Sequence, residues 1–375
     1  MVPTIALKFL EFSTISVSRR PRKISSSMSM TIYNPQASRS GIKLSRLSFY
    51  ETAFIPEVKF LMPTDLEQRS FGSTGEKVSV IGLGGGYLDK YSLAEGVNTV
   101  HRALELGVNY FDTSPDYIHG ASQVILANAL KGRREPYLLA TKLGYHMPKQ
   151  ELHRSREAIT LQFYETLRVL RRNHVDLLQI HEADLSGWWV DGAPKYEYYE
   201  KQDPKDLSNA PVLQVLYEAK QQGKCRWIGI TGNHPPALAN LLSQLEVDTC
   251  LSAYAHNLIF RLGKNLVGNI ARQKKIAYIV GGIFSCGLTE VKREWIDNPP
   301  HWMKPVLHRR LPRLYELQKE SGISLTHLGV RYLLADPHIS VILIGAARGI
   351  ELEDAVNAAR QGLLPADLQQ ALDEL

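Results

Sequence analysis

Cysteine is scarce in this chain of 375 residues: Cys225, Cys250 and Cys286 are the only three. They are too far apart for a zinc-ligand spacing and odd in number for a disulfide framework, so three reduced thiols are expected and no metal. Long apolar runs are missing too. No stretch approaches the roughly 20 apolar residues that span a bilayer, so no membrane partner is expected. A basic excess on the body of the chain is also missing. The formal charge is +6 and the pI about 9.0, but residues 1–61 hold nine Lys/Arg and only three Asp/Glu. Taking those from 44 basic and 38 acidic residues leaves 35 of each. A nucleic-acid groove needs basic residues gathered on the folded body, so nucleic acid is excluded as a partner.

The first fifty residues carry eleven serines, the cluster Arg19-Arg20-Pro21-Arg22-Lys23 and a single acid, Glu11. Such a segment cannot bury much apolar surface, which predicts a disordered leader over residues 1–61. Its Arg- and Ser-rich, acid-poor character reads in two ways. One is an organellar transit peptide, which implies a plastid or mitochondrion. The other is a plain tail or an over-long gene model, with Met28, Met30 and Met62 as further possible starts and a cytoplasmic location.

Order is expected from Leu66 to the C-terminus. Glu67–Phe71 and Val78–Gly84 flank a Gly-rich turn and suggest a hairpin. From Ile81-Gly82-Leu83 onward, short apolar runs alternate with stretches of helical spacing. Ser92 precedes Leu93, Val97, Val100 and Leu104, with Glu95 completing a capping box and Gly107 as a stop. Strands are predicted at Tyr110–Asp112, Tyr137–Lys142, Asp176–His181, Arg226–Thr231, Thr249–Tyr254, Ala277–Gly281 and Ser340–Gly345. Helices are predicted between them, including one over Leu262–Lys275, two within Val306–Ala335 and a last one over Glu351–Arg360. Eight strand–helix units with strands apolar on both faces imply a parallel α/β sheet closed into a (β/α)8 TIM barrel over residues 66–375. An open doubly wound sheet is the alternative.

In such a barrel the active site lies at the C-terminal ends of the strands. Asp112 ends the second strand, Lys142 the third and His181 the fourth, and Tyr117 follows in the loop after Asp112. Taken singly, each has a structural explanation. Together they converge on one pocket with a chemical logic. Reduction of a carbonyl by hydride needs a proton donor at the developing alkoxide. Tyr117, with an ordinary pKa near ~10, needs tuning for that task. The Lys142 ammonium is expected to lower its pKa, with Asp112 pairing and holding Lys142. His181 is placed to orient the substrate oxygen.

These residues resemble the aldo-keto reductases. Phe111-Asp112-Thr113-Ser114-Pro115-Asp116-Tyr117 is similar to that family's D-T-x-x-x-Y signature. Ala140-Thr141-Lys142 is similar to its lysine strand, and Asp176-Leu177-Leu178-Gln179-Ile180-His181 to its D-L-x-x-x-H strand. The helix with Gly120, Ser122, Leu126 and Ala129-Leu130 fits the same pattern, with Gln123 in place of the usual Glu. The resemblance implies an NAD(P)-dependent oxidoreductase with Asp112, Tyr117, Lys142 and His181 as its catalytic tetrad. The implied cofactor is NADP or NAD, and the substrate a small carbonyl compound or sugar.

The cofactor half departs from the family pattern. Thr231-Gly232-Asn233 stands where Ser-Asn is common, the usual Gln near Ser252 and Ala253 is missing, and Val280-Gly281-Gly282-Ile283-Phe284-Ser285 replaces the common seventh-strand sequence. These departures are similar to the sugar dehydrogenase branch, which includes L-galactose and D-threo-aldose dehydrogenases. Gly84, Thr231, Gly232, Asn233, Gly281 and Gly282 are therefore the expected cofactor contacts, with Gly345, Ala346 and Arg348 beside the last helix for a phosphate.

Two other motifs compete. Gly82-Leu83-Gly84-Gly85-Gly86 mimics a dinucleotide fingerprint, and is read here as flexible backbone below a cofactor. Tyr145-His146-Met147-Pro148-Lys149 gives a Y-x-x-x-K, but Gly144 and Pro148 argue against the helix that motif requires. The aromatic-rich segment 184–210 is expected to be a substrate-side flap, or else a surface insertion or subunit contact. A barrel acting as a cofactor-binding regulatory subunit without turnover is the second functional reading. Nothing in the pattern assigns a subunit number.

Overall fold

The computed structural model describes residues 65–144, 150–194, 196–200, 204–285, 287–301 and 303–375. The expected leader, Cys286 and the Tyr145–Lys149 motif lie outside them. Gln68–Ser70 (β1) and Lys77–Ser79 (β2) pair antiparallel, giving the expected hairpin. The barrel strands follow: Ile81–Gly84 (β3), Tyr110–Asp112 (β4), Leu138–Leu143 (β5), Val175–Ile180 (β6), Cys225–Gly232 (β7), Thr249–Ala253 (β8), Ala277–Gly281 (β9) and Ile339–Ile344 (β10). They close into a barrel in the order β10-β3-β4-β5-β6-β7-β8-β9, every pair parallel. Closure excludes the open doubly wound sheet.

The period-two alternation of a strand sorts the side chains into two cores. Tyr110, Leu138, Ala140, Leu177, Trp227, Leu251, Ile279 and Leu343 fill the barrel interior. Their neighbours Phe111, Leu139, Leu178, Ile228, Cys250, Val280 and Ile344 face outward, into the layer shared with the helices. The hairpin closes the floor of the interior with Phe71 and Val78, both fully buried. Phe71 lies 5.7 Å from the Tyr110 ring and edge-on to Trp227 at 6.0 Å. Gly72 lets the hairpin sit so close: it has φ +57°, and a Cβ there would lie 2.4 Å from the Ala277 nitrogen.

Local signals set the helix starts. Ser92, Ser155 and Ser324 accept hydrogen bonds from the backbone N–H of Glu95, Ala158 and His327. The expected helix over Leu262–Lys275 is present from Leu262, with a π stretch, Lys264–Gly268, inside it before Asn269–Lys274. The Gly263 amide bonds the Ala255 carbonyl, outside the helix, and the Asn265 amide bonds the Arg261 carbonyl at 3.0 Å. A C-terminal helix, Ala366–Asp373, was not expected from the pattern. Tertiary contacts hold it: Arg261 donates to the Leu372 carbonyl and the Tyr332 hydroxyl to Asp373, each at 2.6 Å. Among the described residues no helix is long and apolar enough to cross a membrane.

Candidate active site

Alternation decides which residues reach the mouth of the barrel. Continuing the inward run along β4 from Tyr110 leads to Asp112, along β5 from Ala140 to Lys142, and along β6 from Leu177 to Gln179 and then His181, one residue past the strand end. Asp112 pairs in register with Gly84 of β3, and Lys142 with Gln179 of β6. The three candidate side chains thus enter one cavity of about 630 Å³, which Tyr117 also lines. That volume is ordinary for a small-molecule site.

Lys142 is 1% exposed and Asp112 fully buried. The ammonium donates to Asp112 Oδ1 and, at 3.0 Å, to the Thr113 carbonyl. The other Asp112 oxygen accepts from Gln179 Nε2 at 2.9 Å. Burial by itself would lower the Lys142 pKa, but Asp112 and Tyr117 outweigh it and hold the pKa above the ordinary ammonium value. The lysine is therefore charged at any physiological pH.

Tyr117 is brought over this pair by a tight turn. Its N–H donates to the Ser114 carbonyl, and Ile118, His119 and Gly120 follow at φ 55°, 52° and 89°. The Lys142 ammonium lies 4.4 Å from the ring centroid. The expected depression of the phenol pKa is reversed on balance. Burial raises it, Lys142 pulls it back, and burial wins. His181 meets the Tyr117 ring edge-on at 5.6 Å, and its Nδ1 lies 3.2 Å from the Ser114 hydroxyl and 3.8 Å from Asp116 Oδ2. Burial lowers the His181 pKa, so the imidazole is neutral at neutral pH.

Seven of the expected cofactor residues, Gly84, Thr231, Gly232, Asn233, Gly281, Gly282 and Gly345, line the same cavity. Main chain forms much of this wall. A Cβ at Gly86 would meet nothing within 4 Å, and one at Gly281 nothing nearer than 3.6 Å, so the wall admits close approach by a flat, extended ligand. The residues present fit a dinucleotide cofactor in this respect.

Ala346 and Arg348 stand apart from the cavity wall. Ala346 is buried in the core, and Arg348 lies over the Tyr91 ring with its Nε 3.1 Å from Glu351 Oε1. Glu351 Oε2 takes the Ala347 amide at 2.9 Å and the Arg348 amide at 3.4 Å. The helix N-terminus expected to receive a phosphate is thus satisfied by a carboxylate of the chain itself.

The motif reading missed several residues. Gln179 lies inside the motif that ends in His181, yet is anonymous there. Glu182, Lys90, Tyr87 and Tyr254 line the cavity from loops whose course sequence does not reveal.

Of the segment expected to be a flap, the described part around its tryptophans packs as a buttress, while Tyr196 and Tyr198 are exposed. Trp188, Trp189 and Tyr199 are buried, and none of its described residues lines the cavity. The Trp188 indole donates to the His181 carbonyl and that of Trp189 to the Ala183 carbonyl, at 2.9 and 2.7 Å. Trp188 also stacks on His153 at 3.7 Å and presses on Gly144.

A closed eight-stranded β/α barrel with a buried Lys–Asp pair, a phenol and a neutral imidazole at the C-terminal mouth defines a class of barrel oxidoreductase. The chain belongs to the aldo/keto reductase family, which it matches over residues 80–375. L-galactose dehydrogenase of Arabidopsis thaliana is 29% identical over 311 residues, 80% of this chain and 89% of that protein. Aldo-keto reductase YhdN of Bacillus subtilis (strain 168) is 28% identical, over 77% of this chain and 87% of that one. D-threo-aldose 1-dehydrogenase of a Pseudomonas species is 21% identical, over 72% and 85%. The holo form of aldo-keto reductase AKR11C1 from Bacillus halodurans shares the fold, with a TM-score of 0.65 and 23% identity over 82% of this chain and 96% of that one. Membership makes the chain an NAD(P)-dependent oxidoreductase with NADP or NAD as its cofactor.

Proposed function

We propose that the chain interconverts a carbonyl and an alcohol on an aldose or small aldehyde, with Tyr117 as the general acid and base. The observation that carries this reading is the buried Lys142 ammonium, held by Asp112 and set 4.4 Å from the Tyr117 ring centre. The bound nicotinamide supplies or accepts the hydride. In the reducing direction Tyr117 gives its proton to the carbonyl oxygen as negative charge develops there, and Lys142 stabilises the phenolate left behind. In the oxidising direction the phenolate takes the alcohol proton. Asp112, fixed on its second oxygen by Gln179, keeps Lys142 in place. The Ser114 hydroxyl can donate to His181 Nδ1, which puts the imidazole proton on Nε2 as a donor to the substrate oxygen. The relatives named as L-galactose and D-threo-aldose dehydrogenases support an aldose substrate.

The test is turnover of a panel of aldoses and simple aldehydes with NAD(H) and NADP(H) by the full chain and its Tyr117→Phe variant. The variant should lose about a hundred- to ten-thousand-fold in kcat, the usual worth of general acid–base catalysis, while binding cofactor normally. Retention of most of the turnover would remove Tyr117 from the chemistry.

A further inference from the structure

Glu182 follows His181 directly and lines the same cavity as Tyr117, Lys142 and His181. Its backbone sits at φ +47°, a region that residues with a side chain rarely adopt. The surroundings hold it there from all sides. Its N–H donates to Thr231 Oγ1 at 3.0 Å, and that hydroxyl donates to the Ile180 carbonyl at 3.2 Å. The Ala183 amide bonds the Thr231 carbonyl at 2.7 Å. The two buried indoles, Trp188 and Trp189, fix the carbonyls of His181 and Ala183 on either side of Glu182. Glu182 Oε1 accepts from Asn233 Nδ2 at 3.1 Å. An uncommon backbone conformation held by this many contacts fixes where the side chain leaves the chain, and here that is the cavity wall that Glu182 shares with His181.

Resting on the carbonyl–alcohol reading above, we propose that Glu182 selects neutral polyhydroxylated substrates. An ionised carboxylate has about four lone-pair sites on its two oxygens, so besides the Asn233 amide that orients it Glu182 takes hydrogen bonds from hydroxyls on the carbons next to the reacting one. A simple alkyl aldehyde offers no such donor. A phosphorylated or carboxylated substrate brings a like charge toward Glu182, which opposes its binding. The aromatic segment after β6 acquires a role in the same scheme, as the brace that keeps this carboxylate in position.

The experiment measures kcat/KM for glyceraldehyde, propanal and glyceraldehyde 3-phosphate in the wild type, Glu182→Gln and Glu182→Gly, with cofactor dissociation constants by fluorescence titration. Glycine suits the left-handed backbone, so that variant removes the carboxylate without straining the turn. The glyceraldehyde-to-propanal ratio should fall about ten- to hundredfold in Glu182→Gly, the worth of a charge-assisted hydrogen bond, and mainly through KM. It should fall less in Glu182→Gln, which still accepts. The phosphorylated substrate should gain relative to glyceraldehyde in both variants. An unchanged ratio, or a loosening of cofactor as large as the loss of turnover, overturns the assignment of Glu182. Turnover of none of the three aldehydes by the wild type instead overturns the carbonyl–alcohol reading itself.

Discussion

Gln179 donates a 2.9 Å hydrogen bond to Asp112 Oδ2, the oxygen that does not take the Lys142 ammonium. Both partners are fully buried. The carboxylate is thus satisfied on both oxygens, as a buried charge must be. Replacing Gln179 with Leu removes the donor and leaves Asp112 Oδ2 dry. The variant should lose about 1–3 kcal/mol of stability in denaturant unfolding. Unaltered stability would mean that water reaches Asp112.

With Tyr117 as the proposed acid and base, its raised pKa sets opposite pH profiles for the two directions of the proposed reaction. Reduction uses the protonated phenol, which predominates at every pH below the pKa. Its rate should stay level across neutral pH. Oxidation uses the phenolate, so its rate should climb with pH to about 10 and beyond, since burial holds the phenol above its ordinary value. Initial rates in both directions from about pH 6 to 10.5 check this. An oxidation rate that is already flat at pH 8 would show that Lys142 outweighs burial after all.

His256 is buried against Tyr278, with Nδ1 3.5 Å from the hydroxyl, and burial lowers its pKa to about 4. The unfolded chain binds this proton near pH 6.5 and the folded chain only near 4. Stability from this group is therefore full above about pH 6.5 and is lost as pH falls toward 4. The loss approaches about 3 kcal/mol for a shift of this size. His256→Asn should flatten the acid side of a plot of unfolding free energy against pH. A wild-type-like acid slope in the variant would assign the loss to other groups.

Arg348 remains the proposed cofactor-phosphate ligand, although it is paired with Glu351. A bound phosphate would exchange one anion for another at that guanidinium. Arg348→Ala should raise the dissociation constant of NAD or NADP by about tenfold, the worth of one charge-assisted hydrogen bond. Equal constants for wild type and variant with both cofactors would take Arg348 out of the site.

The sequence by itself determined the eight strand–helix units and the placement of two charged strand residues, while closure into a barrel was decided by the tertiary structure. Strand geometry is local: side chains alternate every residue, so a run such as Leu138-Leu139-Ala140-Thr141-Lys142 states which face Lys142 takes, and eight apolar runs between helical patterns state the class of sheet. The spacing from Asp112 to Tyr117 is likewise a property of one loop. Tertiary structure decided the rest. Gln179 is one polar residue on a strand until β5 brings Lys142 level with it and Asp112 comes within reach. Nothing in the aromatic segment distinguishes a flap from a buttress until Trp188 finds the His181 carbonyl and the groove at Gly144. The Tyr117 pKa depends on every atom that displaces water from the phenol, not only on the ammonium that motif reading supplies. Side-chain direction along one strand follows from local backbone geometry, whereas hydrogen-bond partnership and desolvation are set by groups far apart in the chain.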